Sequence, residues 1–133
     1  MATILLVDDD EQYRSMLSEV LYRADYEVYE ARDGNEALKI YREWPTDLVI
    51  TDLIMPGKEG LETIQELRRS NPEVRIIAIS GGGRVGPENY LQYAAEFGAQ
   101  RILAKPFSHR ELLDAINQVL SPVDRLGISH QDS

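Results

Sequence analysis

Short apolar runs alternate along the chain with segments whose apolar residues recur every three or four positions. The runs are Ile4–Val7, Leu48–Thr51, Arg75–Ser80 and Arg101–Ala104, with a weaker alternating one at Glu27–Ala31. Several are nearly continuous in Ile, Leu and Val, as parallel strands covered on both faces require. Between them, Tyr13, Met16, Leu17, Val20, Leu21 and Ala24 fall on one face of a helix. Leu61, Ile64 and Leu67 form a shorter stripe, and Leu112, Leu113, Ile116, Val119 and Leu120 another.

Boundary signals agree with this parsing. Asp33-x-x-Glu36 and Ser108-x-x-Glu111 have the pattern of capping boxes, in which a side-chain oxygen satisfies a free amide at a helix start. Pro87 suits a first helical turn and Gly98 a left-handed stop. Asn71-Pro72 should end the third helix before the next strand begins. Five βα units follow. The expected fold is α/β, a doubly wound parallel five-stranded sheet with right-handed crossovers.

The 133 residues form one domain by size, with 43% apolar and 28% charged positions. The pattern ends near residue 121, and 122–133 (SPVDRLGISHQDS from Ser121) read as a polar tail or the start of a linker. There is no 18-residue apolar run and no signal peptide, so membrane insertion is not expected and a cytoplasmic protein is. The absence of cysteine excludes disulfides and thiol catalysis. A net charge of −9 disfavours direct nucleic-acid contact by this domain.

In an open α/β sheet, ligands bind beyond the carboxyl ends of the strands. There the chain places Asp8 and Asp9 after the first strand, Asp52 after the third, Ser80 after the fourth and Lys105 after the fifth. Singly, each has an ordinary reading as helix-end charge, cap or solvated lysine. Together they put three carboxylates, a hydroxyl and an ammonium on one edge. Carboxylates roughly 4 Å apart repel by about 4 kcal/mol per pair at an effective dielectric near 20. That cost persists where something binds. Carboxylate oxygens without His or Cys suit Mg²⁺, and a carboxylate is itself a nucleophile toward a phosphoryl group.

With ILLVDDDE, TDLIMPGKEG, IIAISG and AKPF in place, residues 3–120 resemble the receiver domain of two-component response regulators, the CheY-like superfamily. The resemblance implies a flavodoxin-like strand order of 2-1-3-4-5. It also implies phosphorylation by a sensor histidine kinase or phosphotransfer protein, and self-catalysed dephosphorylation rather than conventional enzyme turnover. Asp52 matches the phospho-acceptor. Asp9 matches a direct ligand of Mg²⁺ (or Mn²⁺), Asp8 one acting chiefly through water, and the backbone carbonyl of Ile54 a further ligand. Lys105 and Ser80 match the groups that contact the phosphoryl, Gly81 the small residue that leaves room for it, and the Lys105–Pro106 bond is expected to be cis. The downstream protein target is expected on the face formed by the fourth helix, fifth strand and fifth helix.

Some positions depart from the family pattern. Ile102 stands where an aromatic ring usually follows the Ser/Thr in the switch, so a swinging ring is not available and Ile102 is expected in the core. Gly81-Gly82-Gly83-Arg84-Val85-Gly86 has four glycines in six positions, a segment costly to order. Either it is a loose connection, or phosphorylation orders it. Equal hydrogen-exchange protection over 81–90 with and without a phosphate mimic would count against the second. Ile54 and Gly82 offer an attacking water no hydrogen bond, so slow or ordinary dephosphorylation is expected. Asp25 replaces a common Gly and His109 is expected to face solvent, while Tyr90, Tyr93 and Phe97 make the fourth helix unusually aromatic.

A stand-alone receiver is the leading expectation, with a receiver cut from a transcription factor or hybrid kinase as its nearest variant. A phosphatase with an aspartyl nucleophile is a different class. The haloacid-dehalogenase type needs a second Asp two residues on, where this chain has Ile54. A constitutive interaction module is disfavoured by the intact acid, lysine and hydroxyl set.

Overall fold

The computed structural model describes residues 1–53, 60–81 and 98–121. Five parallel strands form one sheet: β1 (Thr3–Val7), β2 (Glu27–Ala31), β3 (Leu48–Asp52), β4 (Ile76–Ser80) and β5 (Arg101–Ala104), in the order β2-β1-β3-β4-β5. Four helices lie among the described residues: α1 (Glu11–Arg23), α2 (Gly34–Glu43), α3 (Gly60–Ser70) and a C-terminal helix (His109–Leu120). The expected fourth helix with Pro87, Tyr90, Tyr93 and Phe97 lies outside the described residues. So do the glycine-rich stretch from Gly82, Ile54, and the segment 122–133.

Strand alternation sorts the core into two layers. Leu5, Val7, Val49, Ile76, Ala78 and Ile102 point to one face, where Ala37, Leu38, Tyr41, Ile64 and Leu67 cover them. Ile4, Leu6, Ile50, Ile77, Ile79 and Leu103 point to the other, against Leu17, Leu21, Leu112, Ala115 and Ile116. Thus α2 and α3 cover one side, α1 and the C-terminal helix the other. This is the doubly wound arrangement that near-continuous apolar strands demand. β3 and β4 are buried at every position, which is why their runs carry so little polar alternation.

The helix ends follow from local chemistry. Asp10 caps α1, its Oδ1 accepting from the Tyr13 amide at 3.1 Å. Ser108 and Glu111 form a reciprocal capping box at the C-terminal helix. At α2 the expected box is altered. Asp33 accepts from the Glu36 amide, but the Glu36 carboxylate accepts from the Arg32 amide, one residue earlier than a box requires. Asp25 turns the chain after α1 at φ 71, a left-handed position that Asp tolerates better than most residues. Gly98 sits at φ 80, beside the Arg68 guanidinium that donates to its carbonyl. α3 ends at Ser70, just before Asn71-Pro72. Met16 departs from the expected α1 stripe: it is 39% exposed, while Leu17 and Leu21 are buried.

Candidate functional site

The carboxyl ends of β1 and β3 are neighbours, with Val7 in register with Thr51, so the next residues of each strand meet at the sheet edge. Asp8, Asp9 and Asp52 each present one carboxylate oxygen there, all within 4.8 Å of one another. Their surroundings differ sharply. Asp8 is 1% exposed and Asp52 8% exposed, whereas Asp9 faces solvent.

Asp8 is held from several sides. Its amide donates to the Ala31 carbonyl of β2 at 3.1 Å, and its Oδ1 accepts from the Asp10 amide at 2.9 Å. Arg14, one turn into α1, donates Nη1 to the Asp8 carbonyl at 2.7 Å while its Nε pairs with Glu30 of β2 at 2.9 Å. The other carboxylate oxygen, Oδ2, is buried without a hydrogen-bond partner among the described residues, and the Lys105 ammonium stands 3.9 Å away. Burial pushes the Asp8 carboxyl above its ordinary range. The Asp10 amide and Lys105 oppose that push, and the charges of Asp52 and Asp9 add to it. A buried, singly satisfied carboxylate among like charges is an electrostatic deficit that a cation would fill.

Asp52 ends β3, and the next amide, that of Leu53, donates to Ile79 of β4 at 2.9 Å. Lys105 follows β5, its amide donating to the Ser80 carbonyl at 2.9 Å and its ammonium lying 3.5 Å from Asp52 Oδ2. The Lys105–Pro106 bond is cis, as expected. Ser80, 3% exposed, donates its hydroxyl to the Gly81 carbonyl at 3.2 Å. Among the described residues, a methyl group built at Gly81 would meet no atom within 4 Å beyond its chain neighbours, so open space adjoins Gly81. The hydroxyl, ammonium and carboxylates therefore share one edge, while Ile102 is only 4% exposed and packs in the core layer of α2 and α3.

Three supporting residues escaped the sequence reading. Gly60, the first residue of α3, donates its amide to the Leu53 carbonyl at 3.1 Å. A Cβ there would lie 2.2 Å from the Asp52 carbonyl oxygen and 2.6 Å from Leu53 Cα, so close backbone approach requires glycine. Its place at the end of TDLIMPGKEG was a signal, though nothing local distinguishes it from the other glycines of the chain. Arg14 looks in sequence like any solvated helix residue. Tyr13 fits the apolar stripe of α1, yet the Lys105 ammonium lies 4.2 Å from its ring centroid.

An all-oxygen set of three carboxylates with water access through Asp9 suits a hard divalent cation, and the orphaned Asp8 oxygen fits that group. The adjoining ammonium and hydroxyl suit an anion that would arrive beside it.

Residues 4–117 match the family model of the response regulator receiver domain. The chain is 35% identical over 119 residues to the chemotaxis protein CheY of Halobacterium salinarum, spanning 89% of this chain and 96% of that one. It is 34% identical over 125 residues to the sensor kinase CckA of Brucella abortus, spanning 92% of this chain and 13% of the kinase. A solved response regulator receiver domain protein from Clostridium thermocellum superposes with a TM-score of 0.80 at 30% identity, covering 90% of this chain and 94% of that one.

Proposed function

The chain belongs to the response regulator receiver domain family, and from that membership we propose that Asp52 is its phospho-acceptor. The observation that carries this reading is the Asp52 carboxylate, set between two further aspartates within 4.8 Å and an ammonium at 3.5 Å. Receiver domains take the phosphoryl group from histidine kinases or phosphotransfer proteins. In the proposed step an Asp52 oxygen forms the new O–P bond as the P–N bond of a phosphohistidine breaks. The donor imidazole keeps the electron pair and takes up a proton.

Asp8, Asp9 and Asp52, with the Ile54 carbonyl, would hold Mg²⁺ or Mn²⁺. When bound, the ion would neutralise charge on the transferring phosphoryl group. Lys105 supplies a second positive charge, 3.5 Å from Asp52 Oδ2. The hydrogen bond from its amide to the Ser80 carbonyl ties the two phosphoryl contacts together, so a shift of Ser80 would be felt at once in β5. Gly81 leaves space for the group to enter. Reversal is self-catalysed, by water attack on the acyl phosphate.

The output would pass through the face formed by the fourth helix, β5 and the C-terminal helix. Ser80 and Ala104 are register partners, which supports a path from the phosphoryl contact into that face. With Ile102 buried, the path runs without a swinging ring.

The test is Mg²⁺ dependence. With a small acyl-phosphate donor, the protein should gain a hydroxylamine-sensitive phosphoryl adduct that a chelator prevents and that Asp9→Ala reduces strongly. Equal labelling with and without chelator would count against the metal role of the acids.

A further inference from the structure

Leu17 and Leu21 carry the α1 stripe into the core, and the half-buried Tyr13 ring packs against that core while also meeting Lys105 of the site. Its place is set by the cap, because the Tyr13 amide donates to Asp10 Oδ1 at 3.1 Å. The Lys105 ammonium lies over this ring, 4.2 Å from the centroid. Pro106 and Phe107 line the same small apolar pocket with Met16 and Leu17. The lysine stem is thus guided along an apolar wall toward the acids.

The distances on the other side are informative. The ammonium is 3.5 Å from Asp52 Oδ2 and 3.9 Å from Asp8 Oδ2. A charge-assisted N–H···O bond is about 2.7–2.9 Å long. Lys105 therefore makes only a long hydrogen bond to Asp52 and none to Asp8, although each attracts it and Asp8 Oδ2 has no competing donor among the described residues. The ring face is the third attraction. Burial, followed by the charges of Asp8 and Asp52, keeps the Tyr13 phenol protonated above its usual range, so the ring stays neutral.

We infer that Tyr13 is a positioning residue whose ring holds the Lys105 ammonium back from the carboxylates, leaving the acids open to a divalent cation and the ammonium aimed at an incoming phosphoryl group. The inference rests on the roles proposed above for Lys105 and the three acids. Without the ring, the ammonium would fall onto Asp8 and Asp52 and compete with the cation.

The experiment is a double-mutant cycle read by calorimetric Mg²⁺ titration of the full chain. Tyr13→Leu should weaken Mg²⁺ binding about three- to tenfold, the range of a partly desolvated cation–π contact. Tyr13→Phe, which keeps the ring, should restore it. In a Lys105→Ala background, adding Tyr13→Leu should change nothing, because no ammonium remains to compete. Wild-type affinity in Tyr13→Leu, or an equal loss in both backgrounds, would overturn the inference.

A second readout needs no variant. The ε-methylene protons of Lys105 should resonate upfield of those of exposed Lys39, shifted by the ring current, and lack of that shift would also overturn the inference. A wild-type protein that shows the shift but binds no Mg²⁺ would strike the metal reading itself, and the competition with it. Phosphoryl uptake that survives Asp52→Ala would strike the phospho-acceptor reading while leaving the ring–ammonium contact intact.

Discussion

The four acids from Asp8 to Glu11 look like one patch in sequence, and folding divides them. Asp10 caps α1 and Glu11 lies in its first turn, where free amides and the helix dipole favour negative charge. Asp8 is sealed behind the sheet edge while Asp9 faces solvent. The strand-end placement of Asp8, Asp9 and Asp52 was readable because apolar runs stop abruptly at them. Their unequal burial was not, since it depends on which residues from α1 and β2 close over the edge. Asp8 sets a sign for pH dependence. Its carboxyl is raised in the folded state, so the fold binds that proton more readily than the unfolded chain. Stability from this group is present at low pH and is lost as pH rises through the folded value, leaving the ionised form a cost at neutrality. Asp8→Asn should therefore raise the Tm of the metal-free protein at pH 7, by roughly 3–5 °C per kcal/mol recovered, and reduce the further rise on adding Mg²⁺. Thermal unfolding at pH 5 and pH 7 checks this. A lower Tm for Asp8→Asn at neutral pH would contradict it.

At the scale of elements, the strands were legible because β1, β3 and β4 are covered on both faces and read as nearly continuous Ile, Leu and Val. The helices were legible from stripes and caps, with two informative misfits. Met16 lies in the stripe yet is 39% exposed, because a stripe wider than the buried contact runs out onto the surface. Glu36 reaches past the Asp33 amide to Arg32, a choice among adjacent donors that spacing does not decide. The entry into α3 was not legible at all. Gly60 is needed because the helix start closes on the backbone that follows Asp52, a contact between segments eight residues apart in sequence. Gly60→Ala sets a methyl group against backbone atoms that have little room to move. It should cost about 1–3 kcal/mol, toward the upper end, and displace Asp52. Denaturant unfolding measures the first effect, and slower phosphoryl uptake than in wild type the second. An alanine variant as stable and as reactive as wild type would show that the loop relaxes freely.

For the whole molecule, composition and topology act together. A chain of net charge −9 carries self-repulsion throughout, but among the described residues only the edge formed by β1, β3 and β5 gathers acids around an orphaned oxygen. General screening and specific binding can therefore be told apart. Millimolar Mg²⁺ should raise the Tm more than NaCl at matched ionic strength, and the excess should shrink in Asp9→Ala. If the two salts act alike, the acids are being screened rather than bridged. None of the described helices is long and apolar enough to cross a membrane. The two-layer core, with helices on both faces of a 2-1-3-4-5 sheet, brings four strand ends to one edge. That convergence is what turns residues scattered from 8 to 105 into one site.

The most direct test of the central claim is the site of phosphorylation. Wild-type protein and Asp52→Ala would be incubated with Mg²⁺ and a small acyl-phosphate donor, and their intact masses compared before and after hydroxylamine. A single hydroxylamine-sensitive phosphoryl group on wild type, absent from Asp52→Ala, is the predicted result. An adduct on both proteins, or on neither, would contradict the assignment of Asp52.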